Sequence, residues 1–258
     1  MFTTRHTTSQ HIGSRNHQAD ATAHHHDPNT GHRAWVLLDG IGDRVHTAAW
    51  VRTAAPALAQ RAARLGDPRA AIQQIRPVLH AERATLDYPT DWPPDAAAIV
   101  AVLDPLGALH LAWAGDCRAY LAENGRARLL TTDHNEATRQ RREGREPEPD
   151  AHDHLTSSLC FLTGVVEAGG VHFSPYARPR RLVLASDGAY LPHENADALP
   201  SPSADGSHRH RSGPDLPAPV LTGAPAIVAR RLTDLAVEAD PAGADNATVV
   251  VVDLHFNG

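Results

Sequence analysis

Hydrophobic and polar positions follow two rhythms along this chain. "RAWVLLDG" (33–40) is a short apolar run that stops at Asp-Gly, the signature of a strand meeting a turn. In "TAAWVRTAAPALAQRAARLG" (47–66) the apolar residues recur at helical spacing, with Gly66 placed to end the helix. Pro56 inside it predicts a kink or a later start. "DPRAAIQQIRPVLHAERATL" (67–86) predicts a second helix, capped by Asp67 with Pro68 at its first position. The rhythm then shortens. "AAIVAVL" (97–103), "ALHLAWAG" (108–115), "CRAYLAE" (117–123) and "RARLLT" (126–131) are apolar or alternating runs. "DPLG" and "ENG" are turn signals within this stretch, and links this short predict antiparallel pairing of successive strands.

Beyond residue 131 the pattern is less regular. Residues 135–153 are highly charged and read as a mobile surface segment, and "LTSSLCFLTGVV" (155–166) returns to the core. "RRLVLASDG" (180–188) predicts a strand, 224–239 a helix and 244–256 a closing strand. Residues 197–222, rich in Pro, Ser and His, read as a long loop. Residues 1–12 are polar and read as a disordered tail, leaving one domain over 13–258. Helices come in pairs and strands in a meander, which predicts a layered α+β fold, not an alternating strand–helix sheet.

Composition narrows the function. The net charge of −6 lacks the basic surplus of a nucleic-acid binder. No apolar run is long enough to span a membrane, and the first residues have no secretory hydrophobic segment. Two cysteines, Cys117 and Cys160, offer neither a disulfide framework nor zinc-type spacing. A soluble, cytoplasmic, monomeric protein is the expectation.

Four places put an aspartate at the edge of an apolar strand: Asp39-Gly40, Asp116 after Gly115, Asp187-Gly188 and Asp245-Asn246. Each dipeptide alone is an ordinary turn signal. Together they describe carboxylates held at strand ends, where they can face one cleft. Converging carboxylates repel and are tolerated around a cation. An all-oxygen ligand set favours Mg²⁺ or Mn²⁺ over zinc.

The order of these motifs resembles the metal-dependent protein phosphatases of the protein phosphatase 2C type. "GSRNHQADA" (13–21) is similar to the family's opening arginine motif and "VLLDGIGD" to its first Asp-Gly motif. "WAGDCRAYL" and "LLTTDHN" resemble its next two segments, with Cys117 where Ser is usual. "LVLASDGAYL" and "DNATVVVV" resemble its last two acidic motifs. The resemblance implies two face-to-face antiparallel sheets flanked by helices, a four-layer αββα sandwich. It implies a serine/threonine phosphoprotein phosphatase, a signalling enzyme in which a hydroxide bridging two Mn²⁺ or Mg²⁺ ions attacks the phosphate. In that analogy Asp39 bridges both ions, the Gly40 carbonyl binds the first, Asp187 and Asp245 complete the second, and Asp116 holds a weak third. Arg15 holds the substrate phosphate.

Three departures from the family pattern stand out. Ala19 replaces the usual Glu or Gln before Asp20, with Gln18 or Asp20 left to compensate; Asp43-Arg44 replaces Gly-His; and "SDGAYL" lacks an acidic residue shortly after it. These motivate an alternative, a catalytically weakened relative that binds phosphoproteins. Residues 136–153 fall at the family's flap. Its arginines 139, 141, 142 and 145 would steer phosphorylated substrates, or simply pair with the interleaved acids. The run His24-His25-His26 reads as a hairpin entry with a turn at Asp27-Pro28-Asn29, since adjacent strand residues face opposite ways. His134 reads as structural.

Overall fold

The computed structural model describes residues 2–85, 93–123, 126–173, 180–196 and 222–256. Ten strands form two antiparallel sheets. The first sheet has β1 (Phe2–His11), β10 (Ala247–Phe256), β9 (Arg180–Ala185), β6 (Arg118–Glu123) and β7 (Arg126–Leu129), in that order. The second has β2 (Asp20–His26), β3 (Arg33–Gly40), β4 (Ala96–Leu103), β5 (Ala108–Ala114) and β8 (Glu167–His172). Helices α1 (Val45–Leu65) and α2 (Pro68–Thr85) cover the outer face of the second sheet. Helices α4 (Asp187–Ala196) and α5 (Pro225–Ala239) cover the first. A short helix, α3 (Glu136–Arg142), lies outside these layers. This is the expected four-layer αββα sandwich.

Strand alternation explains why the apolar runs are continuous. Trp35, Leu37, Ile99 and Leu111 point between the sheets, where they meet Leu182, Leu184, Val250 and Val252. Their neighbours Val36, Leu38, Val100 and Val102 point outward, under Trp50, Leu58 and Ile72 of α1 and α2. Both faces of the central strands are covered, so both parities must be apolar. The helix boundaries follow the expected caps. Asp67 Oδ1 accepts the Ala70 N–H at 3.0 Å, and Gly66 adopts a left-handed φ of 66°. Pro56 sits inside α1, which runs past it on both sides.

Three expectations are corrected. The tail expected to be disordered is strand β1, paired with β10 from Phe2 to His11. An edge strand can be polar, and its threonines favour extended backbone. Second, successive strands do not all pair: β5 and β6 belong to different sheets. The chain crosses the sandwich at Gly115, whose φ of 115° only glycine adopts readily. Third, β8, α3 and α4 were not anticipated. The Gly169-Gly170 pair weakens any strand signal in β8, and Pro192 weakens the helix signal in α4. The loop expected at 197–222 falls, apart from Thr222, outside the described residues. Among the described residues no helix is long and apolar enough to cross a membrane.

Candidate active site

The sandwich delivers its carboxylates to one end. The β2–β3 register sets Asp20 directly opposite Asp39. Asp39 shares the inward parity of Trp35 and Leu37, but it lies where the sheets open. The β5-to-β6 crossing brings Asp116, the first residue of α4 is Asp187, and Asp245 precedes β10. Asp39, Asp116, Asp187, Asp245, Arg15 and the Gly40 backbone line one cleft of about 220 Å³. A larger cleft, about 330 Å³, lies between α1 and α2 and receives none of these residues. Gly40 is required by packing: a Cβ there would stand 2.3 Å from the Ala19 carbonyl oxygen, which accepts the Gly40 N–H.

Electrostatics show that these acids share one field. Burial, then Asp187, Asp20, Asp116 and Asp245, push the Asp39 carboxyl well above its usual range. Asp116 is pushed well above its usual range by burial, Asp187 and Asp133. Asp187 is raised by burial and Asp245. Asp20 is 2% exposed, and its carboxyl is pushed up to about 8, first by burial and then by Asp187 and Asp245 against hydrogen bonds that lower it. Its Oδ2 accepts the Ser186 hydroxyl at 3.1 Å, while its Oδ1 is buried without a hydrogen-bond partner.

The residues fit a hard divalent cation. The donors are oxygens, they repel one another, and a buried carboxylate oxygen of Asp20 lacks a partner. Among the described residues no three His, Cys, Asp or Glu side chains already converge as a cage. Several of the acids are instead turned toward hydrogen-bond donors. Asp187 Oδ1 accepts the Gly188 N–H, Asp245 Oδ1 accepts the Asn246 N–H, and Asp245 Oδ2 accepts from Arg15. Both side chains of the Arg15–Asp245 pair are well exposed, at 40% and 38%. Such a pair contributes only about 0–1 kcal/mol, so Arg15 is free to exchange partners.

The loop carrying Arg15 is pinned on both flanks. Ser14 donates its N–H and its hydroxyl to the Ala244 carbonyl, at 2.8 and 2.9 Å. Asp43 accepts the N–H groups of Asn16 (2.9 Å) and His17 (2.8 Å). The Asn16 amide also donates to Asp43 at 2.7 Å, and the His17 Nδ1 lies 3.0 Å from it. Those backbone hydrogen bonds, with side-chain ones, hold the Asp43 carboxyl down at about 2. The departure at Asp43 therefore has a structural role that the sequence did not reveal.

Other expected residues sort cleanly. Ala19 is buried against Gly40 and donates its N–H to Asn246 Oδ1 at 2.7 Å. Of its two possible substitutes, Asp20 joins the acidic group, whereas Gln18 accepts the Asp20 N–H at 3.1 Å. Cys117 is buried, which raises its thiol well above the usual range. His134 braces the Gly115 turn, its Nδ1 3.3 Å from the Gly115 N–H, and stacks on Trp113. Asp133 beside it grips Arg118 with both oxygens, at 2.9 and 2.6 Å. The flap arginines are engaged locally: Arg139 with Glu136, Arg145 with Glu143, Arg142 with Glu167, Arg141 with His152. The expected turn after the histidine run is present, with Asp27 Oδ1 accepting the Asn29 N–H at 2.8 Å.

This arrangement is a cation-ready acidic cleft overlooked by an arginine. Residues 7–143, over half of the chain, match the model of the protein phosphatase 2C family. The chain belongs to that family: it is a hydrolase, a serine/threonine phosphatase that depends on divalent cations. The weakened, binding-only alternative is not favoured. A serine/threonine phosphatase of S. agalactiae is similar in fold, at 19% identity and TM-score 0.76, over 97% of this chain and 99% of that one. The Mycobacterium smegmatis phosphatase MsPP, solved with cacodylate, shares 22% identity at TM-score 0.68, over 96% and 97%. The catalytic domain of PstP, solved with two manganese ions, shares 21% at TM-score 0.66, over 98% and 99%. No curated protein sequence matches the chain significantly.

Proposed function

We propose that the cleft itself is the catalytic centre. Asp39, the Gly40 carbonyl, Asp187 and Asp245 would hold two divalent cations, Mn²⁺ or Mg²⁺, and Asp116 a weaker third. One observation carries this reading: Asp39, Gly40, Asp116, Asp187 and Asp245 line a single cleft together with Arg15, and burial followed by the neighbouring carboxylates raises the Asp39 carboxyl there. Cations bound there would neutralise the phosphate monoester and lower the pKa of a water held as nucleophile. The chain's own residues do the rest. Arg15 exchanges Asp245 for the substrate phosphate, and its planar guanidinium suits two phosphate oxygens. Asp20, set opposite Asp39, adds a further carboxyl to the group, and a cation bound there would favour its ionised form.

The substrate is then a phosphoserine or phosphothreonine protein in a signalling pathway. A cytoplasmic, monomeric enzyme without nucleic-acid or membrane partners completes the reading. The free, buried cysteines support a reducing compartment. The test is hydrolysis of p-nitrophenyl phosphate and a phosphothreonine peptide, titrated with Mn²⁺ and Mg²⁺, beside Asp39→Asn. Metal-dependent turnover lost in the variant is expected. Undiminished turnover in Asp39→Asn would sink the ligand assignment.

A further inference from the structure

We propose that Asp43 is a positioning residue for Arg15: its carboxylate fixes the loop from which the guanidinium reaches the substrate phosphate. This rests on the reading of Arg15 given above. Arg15 lies in the irregular segment between β1 and β2, with no strand or helix to aim it. The two residues that follow it donate both backbone N–H groups to the same carboxylate, one to each oxygen. The side chains of Asn16 and His17 close on those oxygens from outside. Four contacts converge on one side chain, and a charged acceptor strengthens each.

Asp43 is itself well anchored. It sits three residues after Gly40, in the link between β3 and α1. Ile41 at the start of that link donates its N–H to the Asp95 carbonyl at 2.9 Å, and Arg44 at its end donates to the Gly42 carbonyl at 3.1 Å. The Asp95 side chain accepts from Ser158 and Cys160, at 2.7 and 2.9 Å. Arg15 is thus referenced to the strand end that carries Asp39 and Gly40. The opposite flank, at Ser14, is referenced to the Ala244 carbonyl, next to Asp245. The exposed guanidinium can swing from Asp245 to a phosphate while its Cα stays in register with both halves of the acidic cleft. A preorganised donor loses less entropy when it binds. Glycine at position 43, as family resemblance would have it, has no side chain to make this clamp.

The test uses the full chain loaded with Mn²⁺ and titrates inorganic phosphate by calorimetry, with Mn²⁺ affinity measured alongside. Asp43→Ala is expected to weaken phosphate about tenfold, roughly the size of one lost charge-assisted hydrogen bond. Mn²⁺ affinity stays unchanged, and KM for a phosphopeptide rises more than kcat falls. Asp43→Asn keeps the shape with one accepting oxygen; it weakens phosphate less and serves if the alanine variant fails to fold. In Arg15→Ala/Asp43→Ala the second change adds nothing to the first. Wild-type phosphate affinity in both Asp43 variants, beside a weakened Arg15→Ala, would overturn the positioning role and leave Arg15's own role standing. Wild-type affinity in Arg15→Ala would remove the reading of Arg15 and this role with it. Additive losses in the double variant, or equal losses of Mn²⁺ and phosphate, would also overturn it.

Discussion

The β2–β3 hairpin gathers like groups at both ends, and the two ends resolve the conflict differently. At one end Asp20 faces Asp39, with Asp187 and Asp245 close by. At the other, His24 faces Trp35 and lies against His6, the rings tilted with centres 4.2 Å apart, near Arg33. The imidazoles escape by losing charge. Loss of hydration, then His6 and Arg33, lower His24 to about 4, so the pair is neutral near pH 7. Carboxylates escape by keeping protons, and raised values such as that of Asp20, about 8, leave that escape incomplete near neutrality. A cation bound there would complete it. The same register thus makes one end a structural contact and the other, in the function proposed, a binding site.

The comparison can be broken in four places. Asp39→Asn should lower metal-dependent kcat/KM about a thousandfold, about 4 kcal/mol of barrier, whereas His24→Gln should leave it near wild type. Steady-state assays at saturating Mn²⁺ read both. A comparable loss in His24→Gln would erase the distinction between the ends.

Next comes the pH dependence of melting in EDTA. Between about 4 and 8 the folded chain keeps the Asp20 proton that the unfolded chain releases. The unfolded state then binds fewer protons, so stability falls as pH rises through this window. Tm should therefore drop from pH 5 to pH 8 in EDTA, and saturating Mn²⁺ should restore it most at pH 8. A Tm that climbs over that range in EDTA would contradict the acidic assignment.

Asp20→Asn should relieve that repulsion. A rise of a few degrees in the Tm measured in EDTA at pH 8 is expected, on the order of 1 kcal/mol, together with weaker Mn²⁺ binding. A lower Tm and unchanged Mn²⁺ affinity would mean that Asp20 serves the fold alone. The smallest effect belongs to the histidine end. Between 6.5 and about 4 the unfolded chain binds the proton that folded His24 refuses, so stability falls as pH falls. His24→Gln should remove this opposing contribution, so that its Tm in EDTA rises more steeply than that of the wild type as pH falls from 6.5 to 5. An unchanged slope would assign the acid sensitivity elsewhere.

Much of this was legible in the chain. The helix at 47–66 announced itself through periodicity and Gly66, and the strand at 33–40 through its apolar run, because local backbone chemistry decides both. Asp39, Asp116, Asp187 and Asp245 were visible as strand-end acids, and their order carried the family resemblance. What failed was non-local. A polar segment became β1 because the valines of β10 offered it an edge. Successive strands β5 and β6 parted because Gly115 turned the chain between sheets. Asp20 looked doubtful until the β2–β3 register set it against Asp39. Asp43 looked like a departure until its oxygens met the amides after Arg15. Periodicity reports which side a residue faces, and so the sequence determined the elements and the kinds of group at their ends. Whether those groups meet depends on register and on crossings between sheets, set by contacts between residues far apart in the chain, and that was decided by the tertiary structure.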